Sequence, residues 1–120
     1  MNILVVEDDP SVRETLGMVL ESYNHHAELV ENGEEALRKL DRYWPDVLLL
    51  DLTLPGMNGE QVYNSITHRY GKVPPTVVLS AAHQGANRAK GLQGAWFLAK
   101  PYTIEQLENI IVEAKSSSAA

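Results

Sequence analysis

The run Val47-Leu48-Leu49-Leu50-Asp51 constrains this chain more than any other stretch. Four apolar residues without polar alternation leave no face for water, so a strand here must be covered on both sides. A parallel sheet sandwiched between helices provides that cover. Asp51 closes the run, and Leu54-Pro55-Gly56-Met57-Asn58-Gly59 follows soon after with the Pro and Gly of a turn. A carboxylate at the carboxyl end of such a strand stands where open α/β sheets hold their ligands. It could equally cap the turn with its own side chain. The other strand ends decide between the two.

Ile3 to Val6 is a second apolar, β-branched-rich run, and it ends in Glu7-Asp8-Asp9-Pro10. Like charges about 4 Å apart repel by about 4 kcal/mol at an effective dielectric near 20. The three acids must therefore point different ways or share a cation. Asp9 before Pro10 reads as a helix cap with Pro at the first helical position, which leaves Glu7 and Asp8 at the strand end. The helix that follows carries Val12, Leu16, Val19, Leu20 and Tyr23 as its apolar stripe and ends near Tyr23-Asn24. Ala27 to Val30 is a short strand.

Asn32-Gly33-Glu34-Glu35 reads as the next helix start, with Asn32 as cap and Glu35 reaching back. Glu34 with Arg38 and Glu35 with Lys39 are expected pairs on its wet face, with Leu37 and Leu40 inward and Pro45 as the stop. Asn58 to Gln61 opens a third helix with Val62 and Ile66 inward. Thr76 to Leu79 is a fourth strand ending in Ser80-Ala81-Ala82, and Trp96 to Ala99 a fifth ending in Lys100-Pro101. Alternation asks for a helix over 83–93, but two glycines at about 1 kcal/mol each make it poor. It is expected to be short, mobile or partly unwound. Thr103 to Gln106 is a capping box that opens a helix with Ile104, Leu107, Ile110 and Ile111 inward. Residues 1–115 form one domain, and 116–120 are expected to be a disordered tail or the start of a linker. The architecture is a doubly wound α/β fold with a five-stranded parallel sheet.

All carboxyl ends of a parallel sheet lie on one edge, so Glu7, Asp8, Asp51, Ser80 and Lys100 converge on it. Each alone has a plainer explanation: Ser80 as a turn cap, Lys100 as a solvated lysine, the acids as a loop. Coincidence at four strand ends is harder to arrange. The chain has no cysteine, which removes thiolate metal sites and cysteine nucleophiles. Three carboxylates suit a hard cation such as Mg²⁺ rather than zinc. Asp51 is then a nucleophile able to form an acyl phosphate, with Lys100 as a second cation and Ser80 as a hydrogen-bond donor. No group is placed as a strong general base. A net charge of −6 disfavours nucleic acid or anionic membrane as a partner. The amino-terminal apolar run is too short for a signal peptide or membrane span, so the expected compartment is the cytoplasm.

With these residues in place, the chain resembles the receiver domain of two-component response regulators over nearly its whole length. The resemblance implies the flavodoxin-like strand order 2-1-3-4-5. It implies that Asp51 is the phospho-acceptor, that Asp8 binds Mg²⁺ directly and Glu7 through water, and that Thr53 contributes its backbone carbonyl. Ser80 then matches the switch hydroxyl and Phe97 the switch aromatic, while Lys100-Pro101 matches a pair whose peptide bond is typically cis. It implies a histidine kinase or histidine phosphotransfer protein as donor, an output partner or phosphorylation-dependent homodimer, and no enzymatic activity beyond self-phosphorylation and self-dephosphorylation. The segment from Ser80 to Lys100 is shorter than in the chemotaxis-type pattern, which puts the conventional switch surface in doubt. Ala82 offers no side chain to order an attacking water, which hints at a persistent phosphoryl group.

Two other classes compete. A pseudo-receiver that only binds proteins would not need the complete acid, serine and lysine set. A haloacid-dehalogenase-type phosphatase wants a second Asp two residues past the nucleophile, where this chain has Thr53. His25, His26, His68 and His83 show no ligand spacing. Trp44 is expected to cover a helix end. Trp96, Phe97 and Tyr102 are either a rim of core or a partner surface.

Overall fold

The computed structural model describes residues 1–52, 54, 56–81, 92 and 94–118. Its elements in chain order are β1 (Asn2–Val6), α1 (Pro10–Ser22), β2 (His26–Val30), α2 (Gly33–Leu40), β3 (Val47–Asp51), α3 (Gly59–Tyr70), β4 (Thr76–Ala81), β5 (Ala95–Lys100) and α4 (Ile104–Ser118). The five strands form one parallel sheet in the order β2-β1-β3-β4-β5. This is the flavodoxin-like order, and it reverses direction between β1 and β3.

The period of two along each strand divides the core. Leu4, Val6, Leu48 and Leu50 face α2 and α3, where Ala36, Leu40, Val62 and Ile66 meet them. Ile3, Val5, Val47 and Leu49 face α1 and α4, against Leu16, Leu20, Leu107 and Ile111. β3 is buried from end to end, which is why its sequence shows no polar alternation.

The helix starts follow their caps. Asp9 Oδ1 accepts from the amides of Ser11 (2.9 Å) and Val12 (3.2 Å). Asn58 and Gln61 form a complete capping box, as do Thr103 and Gln106. At α2 only half the expected box forms. Asn32 accepts from the Glu35 amide at 2.9 Å, but the Glu35 carboxylate reaches the amide of Glu31 rather than that of Asn32. Lys39 likewise turns away from Glu35 to Glu28 on the neighbouring strand, at 3.3 Å. α2 ends at Leu40, before Pro45 could act.

Three apolar positions differ from expectation. Val12 is 38% exposed, Tyr23 39% and Ile104 53%. The ridge of α1 that meets the sheet is Leu16, Gly17 and Leu20, so Val12 and Tyr23 lie beyond its ends. Ile104 is the first residue of α4, and Leu107 and Ile111 make that helix's contact with the sheet. α4 runs through Ser116 and Ser117 to Ser118, into the stretch expected to be a disordered tail or the start of a linker. Ala114 is fully buried and Lys115 pairs with Asp46 at 3.0 Å, so the last turns are anchored from the side. Trp44 covers the end of α3, edge-on to Tyr70 with 5.4 Å between ring centroids and with the Lys72 ammonium 4.9 Å from its own. The expected helix over 83–93, apart from Leu92, lies outside the described residues, as do His83, Ala82 and residues 119–120. Among the described residues no helix is long and apolar enough to cross a membrane.

Candidate functional site at the carboxyl edge of the sheet

The strand register brings the chemistry together. Val6 pairs with Leu50, Asp51 with Leu79, and Ala81 with Lys100, so β1, β3, β4 and β5 finish nearly level. Glu7 follows β1 immediately and is 4% exposed, while Asp8, next along, is exposed. Asp51 is the last residue of β3 and is 5% exposed. Ser80 is buried in β4 beside this edge. Lys100 ends β5, and its Nζ lies 2.8 Å from Asp51 Oδ2. Oxygens of Glu7, Asp8 and Asp51 lie within 4.8 Å of one another. Asp9 is absorbed by the α1 cap, so the acidic run divides as its chemistry requires.

The helix after β3 closes tightly over the site. The Gly59 amide donates to Leu52 O at 3.1 Å. A Cβ on Gly59 would come within 2.6 Å of Leu52 Cα and 2.7 Å of Asp51 O, so only glycine permits this approach.

Burial of like charges dominates the electrostatics. Burial pushes the Glu7 carboxyl up to about 8, helped by a hydrogen bond to Asp51 and by its charge, with Lys100 opposing. Glu7 Oε2 is buried without a hydrogen-bond partner among the described residues. For Lys100, burial would lower the pKa, but the hydrogen bond to Asp51 and its charge outweigh it and raise it. The Tyr102 hydroxyl is raised by burial. An all-oxygen donor set with an orphaned buried carboxylate oxygen fits a hard divalent cation, which would displace the proton held on Glu7.

The other expected site residues divide. The Lys100-Pro101 bond is cis. Thr53, expected to offer a carbonyl, lies outside the described residues. Trp96, Phe97 and Tyr102 are half-buried and do not make one patch. Phe97 packs on the core beside α2 and α3, while Trp96 and Tyr102 pack on the core beside α1 and α4. Adjacent residues of a strand point to opposite faces, which separates Trp96 from Phe97. Arg13 was not foreseen: its Nη1 donates to Glu7 O at 2.9 Å and Asp8 O at 3.3 Å. A side chain bonding to backbone carbonyls leaves no periodic trace in a sequence.

Known proteins resemble this chain in sequence and in fold. The family model described as the response regulator receiver domain matches residues 3–112. The positive alginate biosynthesis regulatory protein of Pseudomonas aeruginosa is 36% identical over 118 residues, covering 95% of this chain and 47% of that protein. The transcriptional regulatory protein ResD of Bacillus subtilis is 36% identical over 103 residues, covering 84% of this chain and 42% of that one. This chain thus spans less than half the length of either relative. Among solved structures, the receiver domain of a Pseudomonas aeruginosa sensor histidine kinase superposes with a TM-score of 0.83 at 29% identity, covering 96% of this chain and 97% of that one. It holds a magnesium ion in its active site cleft.

Proposed function

Because this chain belongs to the response regulator receiver domain family, we propose that it is a phospho-accepting receiver whose acceptor is Asp51. The observation that carries the reading is the buried Asp51 carboxylate, 2.8 Å from the Lys100 ammonium and beside the acidic pair Glu7 and Asp8. A side chain only capping a turn would not need an ammonium partner and two more carboxylates.

Glu7, Asp8 and Asp51, with the expected carbonyl of Thr53, would hold a Mg²⁺ ion. When bound, that ion neutralises charge on the phosphoryl oxygens. The protein's own groups supply the rest. An Asp51 oxygen attacks phosphorus, the P–N bond to a donor imidazole breaks, and its electron pair stays on the leaving nitrogen. Lys100, paired with the Asp51 carboxylate, would follow the charge onto the phosphoryl group. The Ser80 hydroxyl donates to a phosphoryl oxygen, and its movement with Phe97 is the proposed switch. The donor is a histidine kinase or phosphotransfer protein. An apolar groove of about 350 Å³ between α1 and α4, lined by Val12, Leu16, Tyr102 and Ile104, suits its docking beside the site. The output is a partner or a phosphorylation-dependent homodimer, selected by differential affinity for the two states. The chain is no independent enzyme in this scheme.

Intact mass after incubation with Mg²⁺ and a small acyl-phosphate donor tests the proposal. A single phosphate adduct in wild type that is lost in Asp51→Asn is the expected result. No adduct with any donor would instead indicate a pseudo-receiver, and donor turnover without adduct a phosphatase.

A further inference from the structure

We infer that Arg13 is a positioning residue for the cation site, holding the backbone of the acidic run so that its carboxylates face the site. One residue restrains three successive carbonyls. The Arg13 amide donates to Asp9 O at 2.9 Å, and its Nη1 donates to Glu7 O at 2.9 Å and to Asp8 O at 3.3 Å. The Glu7 amide donates to Val30 O at 3.1 Å, so β2 fixes the same loop from the other side. Among the described residues Arg13 makes no ion pair. Its charge therefore serves carbonyls rather than the Glu7 and Asp8 carboxylates.

Placement near the start of α1 makes this more than chance packing. A cation there meets the positive end of the helix dipole, so the position is electrostatically unfavourable unless something compensates. Charge-assisted hydrogen bonds to two carbonyls, from a half-buried guanidinium next to an acidic run, provide that compensation. A residue that fixes metal ligands without touching the metal acts on affinity through geometry.

The inference rests on the proposed Mg²⁺ site, and the sign of one measurement separates geometry from charge. Coulomb's law alone says that removing a positive charge near a divalent cation tightens its binding. Lost positioning weakens it. Calorimetric Mg²⁺ titration of the full chain should give about tenfold weaker binding for Arg13→Gln. Arg13→Lys, which keeps the charge but lacks the Nη1 that reaches both carbonyls, should fall between that variant and wild type. Arg38→Gln, a charge lost from α2, should leave affinity unchanged. Melting of the metal-free proteins checks that each is folded, and if Arg13→Gln is not, Arg13→Lys carries the comparison. Unchanged or tighter binding in the folded Arg13 variants overturns the inference alone, as does an equal loss in Arg38→Gln. Absence of binding by wild type overturns the proposed site and this inference with it.

Discussion

Lys100 Nζ lies 2.8 Å from Asp51 Oδ2, an ion pair that ties the end of β5 to the end of β3 across β4. In the metal-free protein Lys100 is thus a competitor for the carboxylate that a cation would share. Lys100→Met should bind Mg²⁺ several-fold more tightly yet accept phosphate at least tenfold more slowly. Titration and a phosphorylation time course check the two halves. Without metal the variant should lose about 1–3 kcal/mol, less than the 3–5 kcal/mol typical of breaking a buried pair, because Lys100 is 39% exposed. Mg²⁺ should restore most of it.

Glu7 predicts how stability depends on pH. Its folded pKa of about 8 lies above the ordinary 4.5, so the folded state holds a proton that the unfolded state has released. The stabilising effect is complete below 4.5 and is lost as pH rises to about 8. In EDTA the melting temperature should therefore fall across that window. Glu7→Gln, neutral throughout, should flatten the profile. A wild-type melting temperature that rises across the same window would contradict the assignment.

Gly59→Ala tests the close approach of α3. Its Cβ would meet backbone atoms at 2.6 and 2.7 Å, and backbone has no rotamer with which to yield. A loss of more than about 2 kcal/mol in urea unfolding is expected, in the range of overpacked cores. Phosphorylation should slow as well, because one of the crowded atoms is Asp51 O.

Thr103→Ala removes one arm of the α4 capping box, whose bonds measure 2.9 and 3.0 Å. The expected cost is about 1 kcal/mol, read from the urea midpoint. Acceptor chemistry should be unaltered, since Asp51 and Lys100 keep their contact.

The strands and the edge that carries the site were legible for one physical reason, whereas the strand order came from the family resemblance. Strands buried on both faces give unbroken apolar runs, and the residue ending each run is placed by topology rather than by detail. Caps were legible because their bonds span three residues. Features that depend on approach distances were not. Lys39 chose Glu28 on another element over Glu35 on its own helix. The exposure of Val12, Tyr23 and Ile104 depends on where each helix meets the sheet, which a stripe of apolar residues does not specify. Arg13 contacts only carbonyls, which every residue possesses.

The two cores carry one further consequence. α1 packs on one face of the sheet and α3 on the other, so the helices following β1 and β3 depart in opposite directions from the crevice holding Asp8 and Asp51. A donor side chain can descend along the strand axis without parting either helix from the sheet. Among the described residues, the winding of the chain itself therefore keeps these two helices clear of the crevice.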